Sequence, residues 1–394
     1  MKKIISFILI LALALGGAAL TFGDEDIMKF GGEKTELSLN DAIERMTTTG
    51  PAFNAVALTK MGNDAAAKGQ FEYLDALEEM NEAVRQMHEY GPMMGMTQEQ
   101  INQATFDVPA MNSLTGLQAD LAKDFYTSYS AVAYEAGLNG IKNNTVQMYY
   151  GLLLCEESYN VAKTTTSIKE TLVENTKKKY SLGVASKMDV LLAENDLMNA
   201  KQSEAEALTS LNEMKMQVNM AFNYDVMQEL TFTDSLVLTN VPVMDLAAAI
   251  ESAYANRHEV IKTKFEMDNA LLEFNSVKAY PKTSATYMAK DTAYKAKQLA
   301  YESTLTNIEI ELRSSFMEVK DLKNAVAVAE STYGNAKEAA RLCQLQYDAG
   351  ICTLTDLQTA QNNQQAAQLG IYNAIMQYDI AVYSYTYAAN AGIM

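Results

Sequence analysis

The sequence has 394 residues, 48% hydrophobic and 20% charged, with only five prolines. That is enough apolar material for a sizeable core, in one large domain or two smaller ones, and it excludes a disordered chain. A net charge of −18 and a pI near 4.6, with no lysine or arginine cluster, exclude nucleic acid as a partner, because phosphate binding needs a basic face.

The chain opens MKKIISFILILALALGGAALTFGDED. Two lysines, an apolar run from Ile4 to about Leu20, small residues and an acidic start are the order of a secretory signal peptide, assigned to 1–23 with cleavage after Ala19 or Gly23. The other reading is an uncleaved anchor, since the run is just long enough to span a bilayer. A short N-terminal segment, 24–35, follows.

Residues 36–224 read as a first helical repeat. It begins with the short helix LNDAIE, 39–44, and contains paired carboxylates, Glu78-Glu79 and Glu156-Glu157, that fit solvated helix faces. The stretch 91–116 shows no strand alternation, and its TQEQINQA looks helical. Met93, Met94, Met96 and Met111 fit either a loose core cluster, the favoured expectation, or an adaptable apolar surface. Leu152, Cys155, Tyr159, Ala162, Thr166, Lys169 and Val173 form a stripe at helical spacing that is poor for a seam, so this face is expected to meet a partner or water.

Residues 225–241 carry alternating Leu230, Phe232, Leu236 and Leu238 and read as an extended linker. A second helical repeat, 242–392, begins with LAAAIE, 246–251, which matches the opening of the first. Its only break before the long helices is AYPKTSATYM, 279–288, too short for two membrane-spanning strands and a turn. Val319, Leu322, Val326, Ala329, Tyr333, Ala336, Ala340, Cys343 and Tyr347 then fall at three-four spacing. After a break, Leu357, Ala360, Gln364, Ala367, Ile371, Ala374, Tyr378, Ala381 and Tyr385 continue it. Two long antiparallel helices with a narrow, small-residue seam are expected, with Tyr372, Tyr378, Tyr383, Tyr385 and Tyr387 as seam and rim packing.

Sliding the sequence 167 residues along itself lays YSLGVASKMDVLLAEN, 180–195, on YDAGICTLTDLQTAQN, 347–362. Tyr180 meets Tyr347, Gly183 meets Gly350, Asp189 meets Asp356, Ala193 meets Ala360 and Asn195 meets Asn362. Each glycine sits where a helix C-terminus wants a left-handed residue. Ser186 to Asp189 and Thr353 to Asp356 have capping-box spacing at the start of the next helix. Capping alone accounts for the glycines and hydroxyls; the aspartates are open to a second role.

A duplicated Y-x-x-G-x-x-[ST]-x-x-D-[VL]-x-x-A between long helices, with an L-x-x-A-I short helix opening each half, resembles the TolC-like outer-membrane efflux protein family over nearly all of the chain after residue 35. The resemblance implies a mainly all-α fold of long antiparallel hairpins in two tandem repeats, a TolC-like α-barrel continued by a β-barrel. This sequence departs from the family there, since 279–288 is too short for two strands and 91–116 shows no alternation, so the β-barrel is expected to be absent or vestigial. It implies a homotrimer with a twelve-helix tunnel, docking a membrane-fusion or adaptor protein and an inner-membrane pump, ABC or proton-driven, to export small molecules or peptides. The alternative is a non-transporting envelope stalk or scaffold that keeps the helical fold. Tyr180, Gly183, Ser186, Asp189, Tyr347, Gly350, Thr353 and Asp356 would form the tip that meets the adaptor. Asp356 and Asp189 are the candidates for a pore constriction, where a ring of carboxylates favours cations. Cys352 and Thr359 stand where some members carry an arginine of the closing network and a second acidic ring. The chain would be exported to the cell envelope: outer membrane or periplasm in a two-membrane cell, cell surface otherwise.

No constellation supports an enzyme. His88 and His258 lack ligand spacing, so no metal is expected, and no glycine-rich phosphate loop or nucleophile elbow calls for a cofactor. Cys155, Cys343 and Cys352 are no disulfide framework, although the last two are near enough in sequence to pair in an oxidising compartment.

Overall fold

The computed structural model describes residues 30–243 and 245–394. The signal-peptide or anchor reading of 1–23 lies outside the described residues. Helices dominate: α1 (Leu39–Thr48), α2 (Pro51–Tyr90), α3 (Gln98–Thr105), α4 (Leu114–Ser181), α5 (Lys187–Ala221), α6 (Leu246–Asn256), α7 (His258–Ser276), α8 (Ala285–Asp348) and α9 (Leu354–Ala388). Among the described residues the strands are β1 (Gly31–Leu37) and β2 (Gln228–Phe232), paired in parallel with Leu37 opposite Phe232, and they close no barrel. No described helix is long and apolar enough to cross a membrane.

Two helices run almost the full length of the molecule. At 1.5 Å per residue, the 68-residue α4 and the 64-residue α8 each span roughly 100 Å. Neither has one continuous partner, because α4 packs on α5 and α9 along one part and on α2 and α7 along the other. The result is a layer ordered α5–α4–α9–α8 at one end and α2–α4–α7–α8 at the other.

The chemistry of α4 changes to suit each neighbour. Near its start, small residues allow close approach: a Cβ on Gly137 would sit 2.8 Å from Val56 Cγ1 of α2. Phe125 stacks on Phe265 of α7 with centroids 4.2 Å apart, and Gln118 donates to Asn269 at 2.9 Å. At mid-height α4 presents Tyr149 and Tyr150 to a waist built from the two strands and α9. Tyr149 stacks on Phe232 at 3.9 Å and donates to Asp234 Oδ2 at 2.8 Å, the oxygen that also accepts the Leu39 N–H at the start of α1. The linker is therefore part of the core: Leu230, Phe232 and Leu236 are buried, and Leu238 alone of its four alternating residues is exposed.

Below the waist the first-half stripe departs from expectation. It faces neither partner nor water; Leu152, Ala162, Thr166, Lys169 and Val173 are buried inside the chain. The polar members are tolerated because they have partners. Lys169, with 2% of its side chain exposed, pairs with Asp196 of α5 at 2.8 Å and donates to Gln361 and Asn362 of α9 at 3.1 and 3.2 Å. One lysine thus ties three helices and both repeats. The methionine expectation is also corrected. Met93 and Met94, each 81% exposed, lie on the surface of a 3-10 turn, Gly91–Met94, because the small core there is filled by Ile101 against Gly91. Glu156 departs from a solvated face as well: it is half-buried, and burial raises its carboxyl pKa.

A buried ammonium without its counter-charge is among the larger penalties in folding. Asp196→Ala is expected to destabilise the chain by about 3 kcal/mol, read as a lowered urea midpoint. The double variant Lys169→Met with Asp196→Leu should recover most of that loss. An Asp196→Ala chain as stable as its parent would contradict the core position of Lys169.

Candidate functional site

The two duplicated turns end their helices in the same way. After α4, Gly183 N–H donates to Tyr180 O at 3.0 Å and Val184 N–H to Lys179 O at 3.0 Å; after α8, Gly350 N–H donates to Tyr347 O at 3.1 Å and Ile351 N–H to Gln346 O at 2.8 Å. This paired closure needs a left-handed residue, and the glycines supply it with φ of 74° and 75°.

Each following helix opens with a complete capping box. Ser186 Oγ accepts the Asp189 N–H at 3.1 Å while Asp189 Oδ2 accepts the Ser186 N–H at 2.8 Å. Thr353 and Asp356 repeat the pattern at 3.2 and 3.2 Å, with the Thr353 hydroxyl donating to Asp356 Oδ2 at 2.6 Å. That hydroxyl and then the Thr353 N–H hold the Asp356 carboxyl below its ordinary value, with a smaller contribution from the Cys352 thiol. Asp356 is exposed and ionised at the positive end of α9.

The turns lie side by side. Lys179, at the end of α4, places Nζ 3.8 Å from the centroid of the Tyr347 ring and 3.6 Å from Asp348 Oδ1 at the end of α8. Thr176 and Tyr347 bring their hydroxyls to 3.5 Å. Between the turns is a cleft of about 520 Å³ lined by Lys179, Val184 and Asp189 from one copy and Tyr347, Gly350 and Thr353 from the other. Beneath it Leu172, Val173, Ala193, Leu354 and Leu357 form a small core of their own.

The eight residues singled out in sequence therefore come together in two groups of four, but they are not equivalent. Tyr347 is half-buried under the Lys179 ammonium, whereas Tyr180 is exposed. Of the two aspartates, Asp189 lines the cleft. Thr359 is exposed and its hydroxyl is spent on the Thr355 carbonyl at 2.8 Å. Sequence reasoning missed Lys179, which holds the turns together, and Asp379, buried at the waist. Asp379 accepts the Thr239 N–H at 2.8 Å, and burial pushes its carboxyl up to about 6 despite the Tyr150 hydroxyl beside it. A charged residue at a seam-adjacent position in one copy, Lys179 against Gln346 in the other, was the available signal for the first.

No family model and no curated protein matches the sequence. Solved structures do. The Campylobacter jejuni CmeC outer membrane channel matches with a TM-score of 0.67 at 13% identity, over 96% of this chain and 94% of that one. A membrane protein from Pseudomonas aeruginosa matches with 0.67 at 12%, over 90% of each chain, and the outer membrane protein VceC from Vibrio cholerae with 0.63 at 12%, over 90% and 97%. At these identities the likeness establishes the fold, and the chain has the TolC-like helical fold.

Two glycines separate backbone strain from helix propensity. Gly350→Ala forces a Cβ into the left-handed region and should cost about 1 kcal/mol. Gly334→Ala, on an open helical face of α8 with no atom near the added carbon, should gain about 0.5 to 1 kcal/mol. Thermal denaturation of the two variants reads the signs; a shift in the same direction would contradict the turn geometry.

Proposed function

We propose that the chain belongs to the TolC-like outer-membrane efflux family and works as a helical export duct. In this reading it docks an adaptor of the membrane-fusion type, and through it an ABC or proton-driven inner-membrane pump, for efflux or secretion of small molecules or peptides. The observation that carries the reading is the pair of identically capped turns, held side by side by Lys179, in a chain that aligns over nine-tenths of its length with outer membrane channels. The turns form the docking tip, and Asp356 and Asp189 supply the carboxylates of its aperture.

A homotrimer suits the layer's edges. The outer helices keep large apolar residues in water, Met198 and Leu208 on α5 and Ile310, Met317 and Val328 on α8, and neighbouring copies would cover them. Three copies of a four-helix layer give a twelve-helix tube. The chain is then exported to the cell envelope.

One observation favours the alternative, a non-transporting envelope stalk or scaffold: the two described strands close no barrel. Deletion of the gene separates the two. For a duct, cells lacking the chain accumulate exported compounds several-fold, the parent sequence restores export, and Asp356→Asn with Asp189→Asn alters export of cationic compounds while retaining a capping acceptor. Thr353→Ala, which weakens the cap by about 1 kcal/mol but keeps the charge, should alter it less. Unchanged accumulation on deletion would sink the duct reading and leave the stalk.

A further inference from the structure

The second turn carries a feature its twin lacks. Cys343, in the last turns of α8, and Cys352, between the left-handed Gly350 and the N-cap Thr353, bring their sulfurs to 2.9 Å across the turn. That is about 0.9 Å longer than a disulfide bond, within reach of small side-chain rotations. The corresponding positions of the first turn are Thr176 and Ala185, so no such pair exists there. The third cysteine does not compete. Cys155 lies on α4 about 30 Å along the helix from Thr176, which is itself level with Tyr347.

We infer that Cys343 and Cys352 are a redox pair whose reversible disulfide clamps the second turn to the end of its own helix, leaving the first turn free. The inference rests on the proposed export of the chain, since an oxidising compartment is where such a bond persists. Both cysteines are half-buried rather than enclosed.

The oxidant is a low-molecular-weight or protein disulfide, acting by thiol–disulfide exchange. Hydrogen bonding to Cys343 pushes the Cys352 thiol up to about 11; either thiol can open the exchange with the same balance, as follows for Cys343. Its thiolate attacks one sulfur of the donor disulfide; the donor S–S bond breaks and one donor thiolate leaves with the electron pair. Cys352 then gives up its proton and attacks Cys343 Sγ in the mixed disulfide, expelling the second donor thiolate. Two protein thiols are oxidised, one donor disulfide is reduced to two thiols, and the two protons end on the donor. The closed ring contains about ten residues, including the left-handed glycine, so the bond adds a covalent restraint to the segment between the two helices. It also withdraws the Cys352 proton from the Asp356 carboxylate.

The test uses the purified full chain in a glutathione redox buffer, acid-quenched, with free thiols counted by maleimide labelling in denaturant and the linked peptides identified by mass spectrometry. The expected result is a fall from three free thiols to one, assigned to Cys155, with Cys343 and Cys352 in one intramolecular link that dithiothreitol reverses and Cys352→Ser abolishes. Three thiols still free in the oxidising buffer, or a link between chains only, would overturn the inference wherever the protein resides. Pairing in the buffer with both thiols free in acid-trapped cells would support the pair and contradict the export reading.

Discussion

The structure depends on one constraint: α4 has to keep one face packed along roughly 100 Å while its neighbours change. It meets this by changing its side chains rather than its path. Glycine and alanine let α2 approach at one end, two tyrosines knit the strands and α9 at the waist, and a buried lysine closes the far end. A uniform apolar stripe would serve only one of these partners. Every other long helix packs on α4 directly except α8, which packs on α7 and α9.

The two copies of the turn and its flanking helices are complementary rather than identical. Lys169 stands where the second copy has Ala336, and it reaches Gln361 and Asn362 of that copy. Lys179 stands where the second copy has Gln346, and it covers Tyr347 and Asp348. In both cases the first copy supplies a cation and the second supplies oxygens, joined at Lys179 by the face of the Tyr347 ring. The contacts cross between repeats, which holds the two turns in a fixed relation and makes the cleft between them a product of both.

What was legible in sequence follows from how local the causes are. The turns, their left-handed glycines and their capping boxes are written in a few consecutive residues, and the α8 and α9 seams are written in spacing; the nine residues expected on the α8 seam are all at least half-buried. The first-half stripe was misjudged because periodicity reports a face, not what covers it. A lysine there looks like solvent until Asp196 arrives from one distant stretch and Gln361 and Asn362 from another. The Tyr149–Asp234 bond at the waist joins residues 85 apart, and Asp379 meets Thr239 across 140, so neither leaves a local pattern. The methionines of the 3-10 turn look like core by composition, but a four-residue turn has too little chain to fold over them.

The central claim is that this layer of four helices is one third of a tube. Electron microscopy of the purified chain at high concentration, with particle mass from light scattering, tests it most directly. The account predicts three copies per particle around an open axis, in a tube about 100 Å long. A particle that remains a single chain at that concentration, with or without an adaptor, would contradict it.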